Sequence, residues 1–134
     1  MHRGGELRDA GGKKNLIIAL EVEWNADLFQ CATCSWGRHC DDANPAPFAK
    51  WAIVGVIESR TCLLPMITPQ SRFFMRMYRH YKERILPFGG GLLDQPHLYA
   101  EAMEILSSRE SVLRAEYAER QRRQGARGVH PGDV

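Results

Sequence analysis

Three of the chain's four cysteines fall within ten residues, in a pattern suited to metal binding. The segment contains Cys31, Cys34, His39 and Cys40, and the fourth cysteine is Cys62. A Cys-x-x-Cys turn aims both sulfurs at one ion, as in structural zinc sites with tetrahedral thiolate ligands. We therefore expect all four cysteines to bind one structural zinc ion, with His39 as an alternative to Cys40.

Other interpretations of these cysteines stay open. The spacing departs from the paired zinc pattern because Cys62 has no second cysteine two residues away. Reduced, partly buried thiols are the main alternative. Disulfide or redox chemistry is a third, although no secretory signal is recognisable and no βαβ pattern surrounds Cys31 and Cys34. His39 is also explained as an exposed imidazole beside two aspartates.

Motifs that would indicate catalysis are lacking elsewhere. The triplet Gly89 to Gly91 is not followed by Lys-Ser or Lys-Thr, and Asp94 at the start of the next predicted helix would repel a phosphate. Cys62 and His80 would need an orienting third group and an oxyanion hole, which nothing in the sequence specifies. We predict that the chain is not an enzyme.

The overall composition is that of an ordinary globular domain. Of the 134 residues, 44% are hydrophobic and 25% are charged, which excludes a fibre or a wholly disordered chain. The net charge of +2 gives no strong overall attraction to nucleic acid or to an anionic membrane. The longest apolar run, Leu16 to Leu20, is too short to cross a bilayer. We expect a cytoplasmic protein without a membrane partner.

Glycine and charge mark the predicted ends of this domain. Residues 1–14 are glycine-rich, charged and nearly free of apolar side chains, so we interpret them as a flexible arm. Residues 123–134 are interpreted as a flexible basic tail. A single small domain is predicted over residues 15–122, with the cysteine cluster within residues 31–62.

An amphipathic helix is predicted at about residues 69–86. Thr68 can cap it, and Pro69 suits the first helical position. Arginines lie on another side of this helix, so nucleic-acid binding is an alternative, as cations neutralise phosphates and rings stack on bases. The aromatic side chains, however, share the stripe expected to be buried. The apolar positions of that stripe are Phe73, Phe74, Met77, Tyr78, Tyr81 and Ile85.

A second helix is predicted at about residues 95–122, with a weak point at Ser107-Ser108. The glycine-rich turn between the two helices favours an antiparallel pair. Ahead of them, Trp51 to Ile57 suits a strand, whereas Asn15 to Val22 fits either a strand or a helix. The predicted fold is mostly α or small α+β: the helix pair, preceded by a cysteine-containing loop and one or two short strands.

Residues 62–103 as a whole resemble small proteins of bacteriophages and prophages that are encoded among the tail genes. The most specific part of the resemblance is the string Leu-Pro-Phe-Gly-Gly-Gly-Leu-Leu-Asp-Gln-Pro at residues 86–96. Proteins in that genomic position are often tail assembly chaperones. The resemblance implies a non-enzymatic assembly factor of the host cytoplasm that binds the tape-measure or tail-tube protein.

The residues themselves are compatible with such a role. A helical pair with a partly exposed aromatic stripe can offer a groove to an amphipathic partner helix, although packing of the stripe against the second helix is the simpler explanation. A zinc-dependent nucleic-acid-binding regulator and a minor structural component of the virion are the alternative functions. The predicted partner-binding residues are Arg72, Arg76, Met77, Tyr78, Tyr81, Gly89, Gly90, Gly91, Asp94 and Gln95.

Overall fold

The computed structural model describes residues 12–91 and 95–128, which form three α-helices and a two-stranded antiparallel sheet. The prediction of a mostly α or small α+β fold is confirmed. Three single-turn 3₁₀-helices cover Ala26–Leu28, Cys31–Thr33 and Leu64–Met66. The larger elements are α1 (Gly12–Trp24), β1 (Trp51–Ile53), β2 (Ile57–Ser59), α2 (Pro69–Lys82) and α3 (His97–Gly128).

Helix α1 lies at the centre of the fold and is buried on nearly every side. Every residue from Leu16 to Leu20, and Val22 as well, is buried. A helix that is apolar all round must be enclosed by other elements, and α1 contacts both α2 and α3. The helical interpretation of residues 15–22 is therefore correct, and the alternative of a strand is wrong.

The two short strands form a hairpin. Trp51 pairs with Ser59 and Ile53 with Ile57, so the segment predicted as one strand turns back on itself at Gly55, which has a φ of 76°. Trp51 and Ile53 are buried and Ala52 between them is exposed, as expected for a strand with one face on the core.

Helix α2 begins where the sequence predicts and ends four residues early. The Thr68 hydroxyl accepts a hydrogen bond from the Ser71 N–H at 3.0 Å, which caps the helix. At the other end Arg84 has a φ of 65°, and the N–H groups of Arg84 and Ile85 return to the carbonyls of Tyr81 and His80. This Schellman turn ends the helix at Lys82, before Pro87 is reached.

Helix α3 continues through Ser107-Ser108 without a break, because Ile105 and Leu106 just before the serines are buried in the core. From Arg114 to Ala126 its side chains are exposed or only partly buried. It reaches Gly128, and α1 starts at Gly12, so residues 12–14 and 123–128 are helical and not part of the predicted arm and tail. The rest of both segments lies outside the described residues. No helix within residues 12–91 and 95–128 has both the length and the apolar character that a membrane span requires.

Polar bridges join each pair of helices. Arg109 of α3 donates to Glu21 of α1, with 2.9 Å between Nε and Oε1. Arg79 of α2 donates to Glu23 of α1 at 3.0 Å. Between α2 and α3, the Tyr78 hydroxyl donates to the buried Glu110 at 2.6 Å. These bridges fix how the three helices are rotated against one another.

Two buried tyrosines provide a matched test of the α2–α3 bridge. Tyr78→Phe removes the donor to a buried carboxylate, so we expect the free energy of unfolding to fall by about 1–3 kcal/mol. The hydroxyl of Tyr99 is buried and has no hydrogen-bond partner among the described residues. Tyr99→Phe should therefore leave stability unchanged or raise it by up to about 1 kcal/mol. Urea unfolding of both variants measures this, and equal losses would contradict it.

Glu110 should make stability depend on pH. Burial alone would raise its pKa, but the Tyr78 hydrogen bond and the charges of Lys82 and Arg114 bring the pKa of this carboxyl below its ordinary value. Its stabilising effect is then full above the unfolded-state pKa, about 4.3, and is lost as pH falls through the lower folded-state value. Glu110→Gln should cost about 1–3 kcal/mol at pH 7, and the difference from the wild type should shrink below about pH 4.

The matched control is Glu119→Gln on the exposed part of α3. Glu119 pairs with Arg122 and Arg123 in solvent, where such pairs contribute about 0–1 kcal/mol. Thermal unfolding of both variants at pH 7 and pH 3.5 is the measurement. A Glu110→Gln deficit that does not change with pH would contradict the assignment.

Candidate functional site

A groove of about 580 Å³ runs between α1 and α2 and is the larger of two candidate sites. Its α1 side exists because Ala19 and Val22 lie on the face of the buried helix that turns toward α2. The chain then bends after Trp24 and adds Phe29 as part of the wall. The apolar lining residues are Ala19, Val22, Ala26, Phe29, Leu64, Ile67, Pro69 and Met75.

Charged side chains on the exposed face of α2 form the rim of this groove, which Arg72, Arg76 and Arg79 all line. Arg79 is paired with Glu23 of α1 at 3.0 Å. The guanidinium of Arg76 lies 6.0 Å from the centre of the Phe73 ring. No carboxylate of the described residues forms a salt bridge with Arg72 or Arg76. The rim therefore carries a surplus of positive charge beside an apolar floor.

The aromatic residues predicted to bind a partner lie mostly in the core. Tyr78 is buried against α3 and stacks on Tyr81, with ring centres 6.2 Å apart. Burial, together with the bond to Glu110, raises the pKa of Tyr78 far above its ordinary value. Met77 and Tyr81 are partly buried and pack against the core. Phe73, by contrast, is exposed, although the predicted stripe placed it with the buried residues.

The predicted residues of the glycine-rich turn lie apart from the groove. Gly89, Gly90 and Gly91 are exposed, and Gly90 has a φ of 91°. Gln95 is buried; its amide donates to the carbonyls of Phe88 at 2.8 Å and Gly91 at 3.0 Å. Its carbonyl accepts from the Phe88 N–H at 2.9 Å, so Gln95 closes the turn. Asp94 lies outside the described residues.

All four cysteines line a second, much smaller cavity of about 30 Å³. Cys31 opens a 3₁₀-helix, Cys34 follows it, Cys40 lies farther along the loop and Cys62 comes after β2. All are free thiols; Cys31 and Cys40 are exposed, whereas Cys34 and Cys62 are partly buried. The structure thus brings together every cysteine that the sequence singled out.

The two inner thiols have different surroundings. Hydrogen bonds from the backbone N–H groups of Trp36 and Arg38 lower the pKa of the Cys34 thiol. In the same turn Gly37 and Arg38 both have positive φ, 92° and 59°. Burial raises the pKa of Cys62, partly offset by a bond from the Leu64 N–H and reinforced by the other three thiols.

His39 also lines the cysteine cavity. Its Nδ1 lies 2.8 Å from the carbonyl oxygen of Asn44, and its own carbonyl accepts a hydrogen bond from the Cys62 N–H at 2.7 Å. This last bond fastens the loop to the segment after β2. Within residues 12–91 and 95–128, no group of three or more His, Cys, Asp or Glu side chains stands in a metal-binding arrangement.

Sequence reasoning placed Arg72 and Arg76 in a binding region but missed the α1 side of the groove. Val22, Glu23 and Phe29 were assigned no role, although they complete its wall. The available signal was the four-residue step Leu16, Leu20, Trp24, which indicates a helix there but not which element packs against it. Phe29 and Leu64 line both the groove and the cysteine cavity, so the two sites have a common wall.

Comparisons of the chain with protein-family models, with curated proteins and with solved structures gave no match.

Proposed function

We propose that this chain is a non-enzymatic, chaperone-like tail-assembly factor that holds a helical segment of a phage tail polypeptide in the groove between α1 and α2. The observation that carries the proposal is an apolar groove with a surplus of arginine on its rim. The tape-measure protein is the preferred partner and the tail-tube protein the second. The string at residues 86–96 supplies the phage-tail part of the proposal, through the resemblance alone.

The chemistry of the groove selects its occupant. An amphipathic helix would place its apolar face on Val22, Phe29 and Met75, as in other helix-in-groove complexes. Acidic side chains flanking that face would meet Arg72 and Arg76, whose guanidinium groups bind carboxylates in a bidentate manner. We therefore infer an amphipathic helix with acidic flanks, and we expect it to bind more weakly as salt concentration rises.

The same rim disfavours other occupants. A basic segment would be repelled by Arg72 and Arg76, since like charges across an interface cost free energy. The Arg79–Glu23 pair spans from α2 to α1 and supplies one neutral position in the rim. A groove of about 580 Å³ accommodates several side chains, within the size range of ordinary ligand sites.

The proposal includes the finer arrangement expected from the sequence, in which α2 and α3 form an antiparallel pair across the glycine-rich turn. The bonds that Gln95 makes to Phe88 and Gly91 support it, and so does the Tyr78–Glu110 bridge. In this arrangement Tyr78 and Tyr81 anchor α2 from behind, and α2 presents its arginines to the partner. The factor would act in the host cytoplasm.

A nucleic-acid-binding function is the second candidate, favoured by one contact. Phe73 is exposed, and Arg76 lies over its ring, so a cation and an aromatic face stand together on the surface. Bases stack on such rings while arginine neutralises phosphate. The apolar floor beneath the arginines favours a polypeptide instead. A role as a minor virion component is tested separately by mass spectrometry of purified particles.

The test is co-expression of this chain with the tape-measure protein encoded beside it, followed by co-purification and titration. We expect a complex with the wild type, and a loss of affinity of about tenfold to a hundredfold in Arg72→Glu/Arg76→Glu, because two attractive charges become repulsive. Ala26→Trp should also weaken binding, because Ala26 is exposed on the groove wall and the larger ring fills the space.

The matched control is Arg120→Glu, which reverses a charge on the exposed surface of α3 outside the groove. It should bind like the wild type. Equal losses in Arg120→Glu and Arg72→Glu/Arg76→Glu would refute the groove. Failure to bind either the tape-measure or the tail-tube protein would refute the tail-assembly role. Tight, salt-sensitive binding to DNA or RNA in place of protein would establish the second candidate.

A further inference from the structure

We infer that Cys31, Cys34, Cys40 and Cys62 form a structural zinc site that holds the loop between α1 and β1 to the segment entering α2. This goes beyond the proposed function and does not depend on it. The first observation is convergence: cysteines from two segments, separated by the whole β-hairpin, line one cavity.

The size and lining of the cavity suit a single ion. At about 30 Å³ it has room for roughly one or two water-sized groups, which is too little for an organic ligand. Around the sulfurs stand the rings of Phe29, Trp36 and Trp51, in successive edge-to-face contacts with centres 5.0 and 5.3 Å apart. Such an apolar surround shields the inner two thiolates, those of Cys34 and Cys62, in part from water.

The backbone already joins the two cysteine-bearing segments. The bond from the Cys62 N–H to the His39 carbonyl, at 2.7 Å, holds the two segments side by side.

The outer two cysteines complete the site. Cys31 and Cys40 are exposed, so their side chains are free to turn about χ1 toward the cavity when an ion enters. Ion binding is thus the step that brings the four sulfurs from lining one cavity into tetrahedral coordination. The acid–base balance is simple: each thiol that binds releases its proton to solvent.

The loop also needs such a support. Between Asn25 and Lys50 it contains only two single-turn 3₁₀-helices, and Ala46 is its one fully buried hydrophobic residue. A loop of this length without regular structure is uncommon in a compact domain. Four thiolate bonds would supply the fixed points that its few buried side chains do not.

The experiment measures zinc and cobalt binding by the full chain under reducing conditions. We expect one zinc per chain by elemental analysis, and cobalt substitution should give the charge-transfer and ligand-field bands of tetrahedral thiolate coordination. Each of Cys31→Ser, Cys34→Ser, Cys40→Ser and Cys62→Ser should weaken metal binding by at least about tenfold. The control Ser35→Ala, an exposed residue of the same loop, should bind as the wild type does. Zinc removal should lower the melting temperature by on the order of 10 °C.

Three outcomes would overturn the site. One is a wild-type chain that contains no zinc, whose four thiols all react with a thiol reagent and are not protected by added zinc. Another is fewer than four titratable thiols together with no metal, which would indicate disulfides. The third is a cobalt spectrum that changes in His39→Asn but not in Cys40→Ser. That result would show that the His39 imidazole binds the metal in place of Cys40.

Discussion

Burial of α1 on nearly all sides is the constraint from which the rest of the architecture follows. Its run Leu16 to Leu20 leaves no polar face for solvent, and each large aliphatic side chain removed from water contributes about 1.5–3 kcal/mol. Such a helix is stable only when other elements surround it. Helices α2 and α3 therefore both pack on α1, and the groove lies between α1, the loop that follows it and α2.

Polar bridges then select one packing among the many that apolar contacts would allow. Hydrophobic burial has no direction, whereas the bonds to the partly buried Glu21 and the buried Glu110 each need two helices at a particular rotation. Glu110 is the more constrained of the two, since it is buried and accepts from both Tyr78 and Lys82. Its bond to Tyr78 holds that side chain in the core. The arginines therefore lie on the opposite face of α2.

The sequence predicted those features that local chemistry controls. Thr68-Pro69 correctly marks the start of α2, and the four cysteines that the sequence singled out line one small cavity. The sequence did not predict the features that depend on tertiary packing. A helix whose central residues are buried all round has little amphipathic period there, so residues 15–22 could not be distinguished from a strand. The end of α2 depends on a positive φ at Arg84, and an arginine in the sequence does not indicate that conformation.

For the same reason, the sequence indicated only the α2 side of the candidate groove. Arg72 and Arg76 stand out as a local concentration of charge, whereas Val22 and Phe29 are ordinary apolar residues until α1 is known to lie beside α2. Tyr78 was expected to bind a partner because it belongs to an aromatic stripe. Only the distant Glu110, thirty-two residues away, shows that its hydroxyl is used inside the protein.

Phe29 and Leu64 form a partition with one side toward the groove and the other toward the cysteines. If an ion bound to the cysteines as proposed and shifted this shared wall, the affinity for a peptide in the proposed groove would change with it. By thermodynamic reciprocity, a peptide that bound more tightly to the metal-loaded chain would raise the affinity for the metal by the same factor. Metal supply and cargo affinity would then be one coupled equilibrium.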